Sequence, residues 1–156
     1  MSKFKKIICP VDFDANSPLA LRAALDLAGD RGALMVLMHV VPIPPGPEVA
    51  LPFGKMEEEA RTKLEKLARE KIDGRAVYEV EVTMGDPGVE ILRAAKRHRA
   101  DLIVMATHGR KGLRRLVLGS VAEKVVREAP CPVLTVKPVS PAAPPLAGRQ
   151  RVKATA

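Results

Sequence analysis

Apolar residues along this chain fall into short blocks separated by amphipathic stretches. Residues 6–12, KIICPVD, form an apolar run closed by proline and aspartate, the pattern of a buried strand. At Ser17–Pro18 the period changes. Leu21, Ala24, Leu25 and Ala28 recur at helical spacing, behind a serine that reads as an N-cap and a proline at the first helical position. Gly29 or Gly32 closes that helix. ALMVLMHVV, residues 33–41, is almost continuously apolar, as strands buried on both faces of a parallel sheet are. PIPPGPEVALPFG (42–54) reads as an irregular loop. KMEEEARTKLEKLAREKI (55–72) predicts a long amphipathic helix with Met56, Ala60, Leu64, Leu67 and Lys71 on one face. AVYEVEVTMG (76–85) alternates, which predicts a strand near a sheet edge. Asp86–Pro87 repeats the cap-and-proline start before GVEILRAAKRHRA. DLIVMAT reads as a central strand, GSVAEKVVREA as the last helix and CPVLTVKP as the last strand.

Strict β-α alternation with apolar strands predicts a doubly wound parallel α/β sheet. With 156 residues, 47% of them hydrophobic, the chain can build one domain with a substantial core. Aromatics supply only 3% and tryptophan none, so Ile, Leu, Val, Ala and Met must fill that core. After Lys137 the segment PVSPAAPPLAGRQRVKATA is rich in proline and alanine and lacks periodicity, which predicts a domain over 1–138 and a disordered basic tail over 139–156. No apolar run approaches the roughly 18 residues of a membrane span. MSKFKKIICPVDF lacks the long apolar region of a signal peptide, so a cytoplasmic location is expected. Cys9 and Cys131 have no CxxC partner and read as thiols in a reducing compartment.

The formal charge of +8 points at first to nucleic acid. Its placement argues otherwise. Lys3, Lys5, Lys6, Arg149, Arg151 and Lys153 lie near the two ends, and the stretch between them is close to balanced. No aromatic residues interleave with these basic ends as stacking platforms. No specific nucleic-acid or membrane partner is expected.

In a doubly wound sheet, ligands sit beyond the carboxyl ends of the strands where the strand order reverses. Pro10, Val11 and Asp12 follow strand one, His39, Val40 and Val41 follow strand two, and Ala106 to Gly109 follow strand four. Neither GxxxxGK[ST] nor GxGxxG occurs. Instead Ala106-x2-Gly109-x9-Gly119-Ser120 links strand four to the last helix, with Arg110, Lys111, Arg114 and Arg115 inside it. Glycine lets backbone N–H groups approach an anion, and a helix start offers free donors and a positive dipole end. Ser120-x-x-Glu123 is also a capping box, which a helix needs with or without a ligand. Asp12 reads as a turn residue or as a ligand, and His39 as a satisfied core histidine. His108 is either a phosphate contact or an exposed loop residue. The histidines lack metal spacing.

These residues carry a resemblance. KIICPVDFDANS, LMVLMHVV and the long segment GDPGVEILRAAKRHRADLIVMATHGRKGLRRLVLGSVAEKVVREAPCPVLTV resemble the universal stress proteins, over roughly residues 3 to 138. The resemblance implies an adenine nucleotide alpha hydrolase-like fold, a five-stranded parallel sheet in the order 3-2-1-4-5, with the switch point between strands one and four. It implies homodimers paired through the last strand (132–137). For the ATP-binding branch it implies a Gly-x2-Gly-x9-Gly-Ser/Thr signature, in which Gly109, Gly119 and Ser120 match the phosphate positions. Asp12 then lies near the ribose, and Val40 presents its backbone to adenine. Pro10, Val11, Met105, His108, Arg110 and Val121 complete the implied binding surface. Ala106 stands where the branch has its first glycine; alanine is excluded there only if the backbone needs a positive φ or the ribose packs on that Cα. The resemblance implies ATP with Mg2+ or Mn2+ held through its phosphates and a role in stress adaptation; no evident general base or metal-binding carboxylate pair adjoins the glycine loop, so at most slow ATP hydrolysis is expected. The alternative is a dimeric scaffold of the same fold that binds no nucleotide.

Overall fold

The computed structural model describes residues 4–29, 32–44, 46, 51–107 and 118–137. Among the described residues nine elements alternate: β1 (Lys6–Pro10), α1 (Ser17–Ala28), β2 (Leu34–Pro42), α2 (Phe53–Ile72), β3 (Val77–Gly85), α3 (Pro87–His98), β4 (Leu102–Ala106), α4 (Ser120–Glu128) and β5 (Val133–Val136). The strands form one parallel sheet in the order β3-β2-β1-β4-β5. That is the fold the alternation and the resemblance predict. The alternating β3 lies at one edge and β5 at the other.

Each face of the sheet has its own core. Ile7, Cys9, Met35, Leu37 and Val104 point to the face covered by Leu21, Ala24 and Leu25 of α1 and by Ala60, Leu64, Ala68 and Ile72 of α2. Ile8, Val36, Met38 and Ile103 point to the other, under Ile91, Ala94 and Ala95 of α3 and Ala122 and Val125 of α4. Alternation of side chains along a strand buried on both sides requires this division. On α2 the expected stripe ends differently. Ala68 and Ile72 are buried and Lys71 is exposed, because the helix turns its last apolar residues inward. On the α3 face, Glu81 of β3 pairs with Arg97 and, at 2.6 Å, with Nε2 of His98, tying the edge strand to the end of α3.

The helix starts correct the sequence reading in two places. Ser17 is the first residue of α1, and Pro18 follows it. Asn16 holds the cap position without a side-chain cap bond, and the Asp14 carboxylate accepts the N–H groups of Asn16 and Ser17 at 2.8 and 2.9 Å. Ser120 is the first residue of α4 and not its cap. Gly119 occupies the cap position, and its carbonyl accepts the Glu123 N–H at 2.9 Å. No side-chain cap forms there, so the expected capping box is absent. Only Asp86 behaves as expected, accepting the Val89 N–H at 2.8 Å.

Sheet register leaves an opening between β1 and β4. β1 pairs with β2 along its whole length, from Lys6–Leu34 to Pro10–Met38. Its pairing with β4 covers only Ile7–Leu102 and Ile8–Ile103. Both strands run on, and beyond that point no ladder joins them. The crevice between Pro10 and Ala106 is the switch point that a 3-2-1-4-5 order requires.

Candidate functional site

A cleft of about 830 Å³ lies over the carboxyl ends of β1, β2 and β4. Pro10, Val11 and Asp12 form one wall, Val40 and Val41 the floor, and Met105 and Ala106 the facing wall. Gly119, Ser120 and Val121 bring the N-terminus of α4 to its rim. The structure therefore gathers Pro10, Val11, Asp12, Val40, Met105, Ala106, Gly119, Ser120 and Val121 into one cavity. His108, Gly109 and Arg110 lie outside the described residues, as do Lys111, Arg114 and Arg115.

The two glycine-related positions have ordinary backbones. Gly119 has φ −60° and ψ 155°, an extended conformation open to any residue. Its N–H donates to the Thr107 carbonyl at 2.8 Å, and the Thr107 N–H donates to Val136 at 3.0 Å, so α4 starts from a point fixed to β4 and β5. Ala106 is a strand residue and is not among the positive-φ residues. The conformational objection to alanine there is thereby removed. The Ser120 hydroxyl makes no hydrogen bond among the described residues, and the first N–H groups of α4 face the cleft without a side-chain cap.

Asp12 is held by local chemistry. Its Oδ1 accepts the Ser17 hydroxyl at 2.7 Å and the Asp14 N–H at 3.1 Å, while its own N–H donates to Ser17 Oγ at 3.2 Å. Burial, and next to it the Asp12 charge, push the Asp14 carboxyl above the ordinary value, against the backbone N–H donors that lower it. Among the described residues no group of three or more His, Cys, Asp or Glu side chains is placed to hold a metal ion.

Besides Pro87 and Ile91 of α3, sequence reasoning missed two contributors. The first is α2, which closes the cleft with Met56, Ala60 and Lys63; the proline-rich loop before it carries no signal of where the helix will lie. The second is Phe13. Its φ of +61° is one that a bulky residue adopts at a cost of roughly 1–3 kcal/mol. Its ring lies against His39, with centroids 4.5 Å apart and planes at 40°. His39 is satisfied as expected, with Nδ1 2.7 Å from the Val11 carbonyl.

The cleft's position matches that of a nucleotide pocket in a doubly wound sheet, and the comparisons agree on the family. The universal stress protein family model matches residues 3–137. Universal stress protein MJ0531 of Methanocaldococcus jannaschii is 37% identical over 142 residues, covering 86% of this chain and 82% of the relative. The solved structure of hypothetical protein MJ0577 superposes with a TM-score of 0.75 at 28% identity, covering 87% of this chain and 97% of that one. A universal stress protein family member from Arabidopsis thaliana, solved with AMP bound, shares the fold with a TM-score of 0.58 at 24% identity, covering 90% of this chain and 97% of that one. The chain belongs to the universal stress protein family.

Proposed function

We propose that this protein is an ATP-binding regulatory module of stress adaptation, acting in the cytoplasm. One observation carries the reading: the residues that the ATP-binding signature marks, so far as they are described, converge on one cleft at the β1–β4 switch point. The apolar floor suits a base, Asp12 suits a ribose, and the uncapped N-terminus of α4 suits phosphates. The AMP carried by the Arabidopsis relative supports an adenine nucleotide as the ligand class. A divalent cation, Mg2+ or Mn2+, fits here through phosphate oxygens and water, since no protein cage for it stands among the described residues. Residues 1–138 act as the binding domain, 139–156 as a tail, and hydrolysis is at most slow.

The same reading includes a homodimer paired through β5. Leu134 is 39% exposed on that edge strand and Val126 of the adjacent α4 is 49% exposed, and an open apolar edge favours pairing. Two measurements test the proposal. Purified protein, denatured and analysed for released nucleotide, is expected to yield ATP or another adenine nucleotide, and sedimentation at tens of micromolar is expected to give a dimer. Protein free of nucleotide that also fails to take up added ATP would establish the scaffold alternative, and a monomer at all concentrations would remove the dimer.

A further inference from the structure

We infer that His39 is a positioning residue for the nucleotide's sugar, acting through the turn that carries Asp12; the inference rests on the ATP-binding reading above. His39 touches that turn at two points. A carbonyl can only accept, so the 2.7 Å contact with Val11 means that Nδ1 bears the hydrogen and donates it. The face of the same ring lies against Phe13 at 4.5 Å. Asp12 sits between these two anchored residues. The turn needs anchoring, because Phe13 holds a positive φ of 61° that the surroundings must enforce. On the β2 side the Val11 N–H donates to Met38 at 2.8 Å, so β2 grips Val11 by both its backbone polar groups. On the α1 side Ser17 and Asp14 hold Asp12 Oδ1. Asp12 is thus aimed from two directions, and His39 is the β2 contribution. Both His39 and Phe13 line the cleft beside Asp12.

A residue that merely fills space would affect all ligands alike. A residue that aims Asp12 should affect only ligands with ribose hydroxyls. The test titrates ATP and 2′,3′-dideoxy-ATP into the parent, His39→Phe and His39→Asn, with thermal melts to establish folding. His39→Phe keeps an aromatic face for Phe13 and loses the donor. His39→Asn places an amide N–H near the Nδ1 position and loses the ring. The parent is expected to prefer ATP over the dideoxy analogue about tenfold or more, the size of one hydrogen bond to a charged group. His39→Phe is expected to bring that ratio close to one by weakening ATP, and His39→Asn to restore most of it. Amide exchange of residues 11–17 in the nucleotide-free protein supplies an independent arm, expected to speed up about tenfold or more in His39→Phe. A His39→Phe variant that keeps both the parent's sugar preference and its exchange rates overturns the inference. A parent that binds neither nucleotide overturns the functional reading and the sugar role with it, and exchange then reports separately whether His39 holds the turn.

Discussion

The hydroxyl of Ser17 and the carboxylate of Asp12 are joined at 2.7 Å, and the same Ser17 oxygen accepts the Asp12 N–H at 3.2 Å. Ser17 is 4% exposed. The first residue of α1 therefore fixes the Asp12 side chain, to which the proposed function assigns the sugar. Ser17→Ala removes one donor and one acceptor from a buried network. It is expected to cost about 1–3 kcal/mol of stability and to weaken ATP binding, and chemical denaturation followed by titration of the folded fraction measures both.

Ser120→Ala is expected to behave differently from Asp86→Ala, although both residues stand at helix starts. The Asp86 side chain accepts the Val89 N–H, so its loss should cost about 0.5–2 kcal/mol while leaving ATP affinity unchanged. Ser120 caps nothing. Its replacement should leave stability within about 0.5 kcal/mol, as for a surface position, and reduce ATP affinity without affecting adenosine. A Ser120→Ala protein destabilised as much as Asp86→Ala would show that the hydroxyl does structural work.

The two thiols are expected to be sluggish nucleophiles in the folded protein. Burial pushes Cys9 up to about 12, and burial followed by the Asp101 charge pushes Cys131 up. The thiolate is the reactive form, so both should label slowly at neutral pH and fast after denaturation. The folded state holds the Cys9 proton more tightly than the unfolded chain does. Its contribution to stability is therefore complete below the unfolded value of 9.0 and is lost as pH rises from there toward about 12. Thiol labelling with and without denaturant, and denaturation at pH 8 and pH 10, check the two statements. Rapid native labelling of Cys9 would contradict them.

The strands and their order of burial were legible because parallel strands covered on both faces must be apolar throughout, as in ALMVLMHVV. The switch-point residues were legible because each closes an apolar run. The wall supplied by α2 was not, since periodicity gives a helix's inner face and not its neighbour. Nor was the conformation of Phe13, because a positive φ at a phenylalanine leaves no mark in the sequence, and its ring is held against His39 of β2. The helix starts slipped by small steps for a related reason. Ser17 and Ser120 are both good caps by type, but Asp12 claims the Ser17 hydroxyl and Gly119 takes the cap position ahead of Ser120.

The central claim is that the start of α4 cradles phosphate, and Gly119 tests it most directly. Its backbone, at φ −60° and ψ 155°, accepts valine without backbone strain, so Gly119→Val should fold with only the modest loss of a poorer N-cap while its side chain obstructs close approach to the backbone N–H groups. Calorimetric titration of parent and Gly119→Val with ATP and with adenosine is the measurement. The expected result is at least about tenfold weaker ATP binding in the variant, about 1.4 kcal/mol, with adenosine affinity much less changed. Equal ATP affinities for the two folded proteins would contradict the cradle.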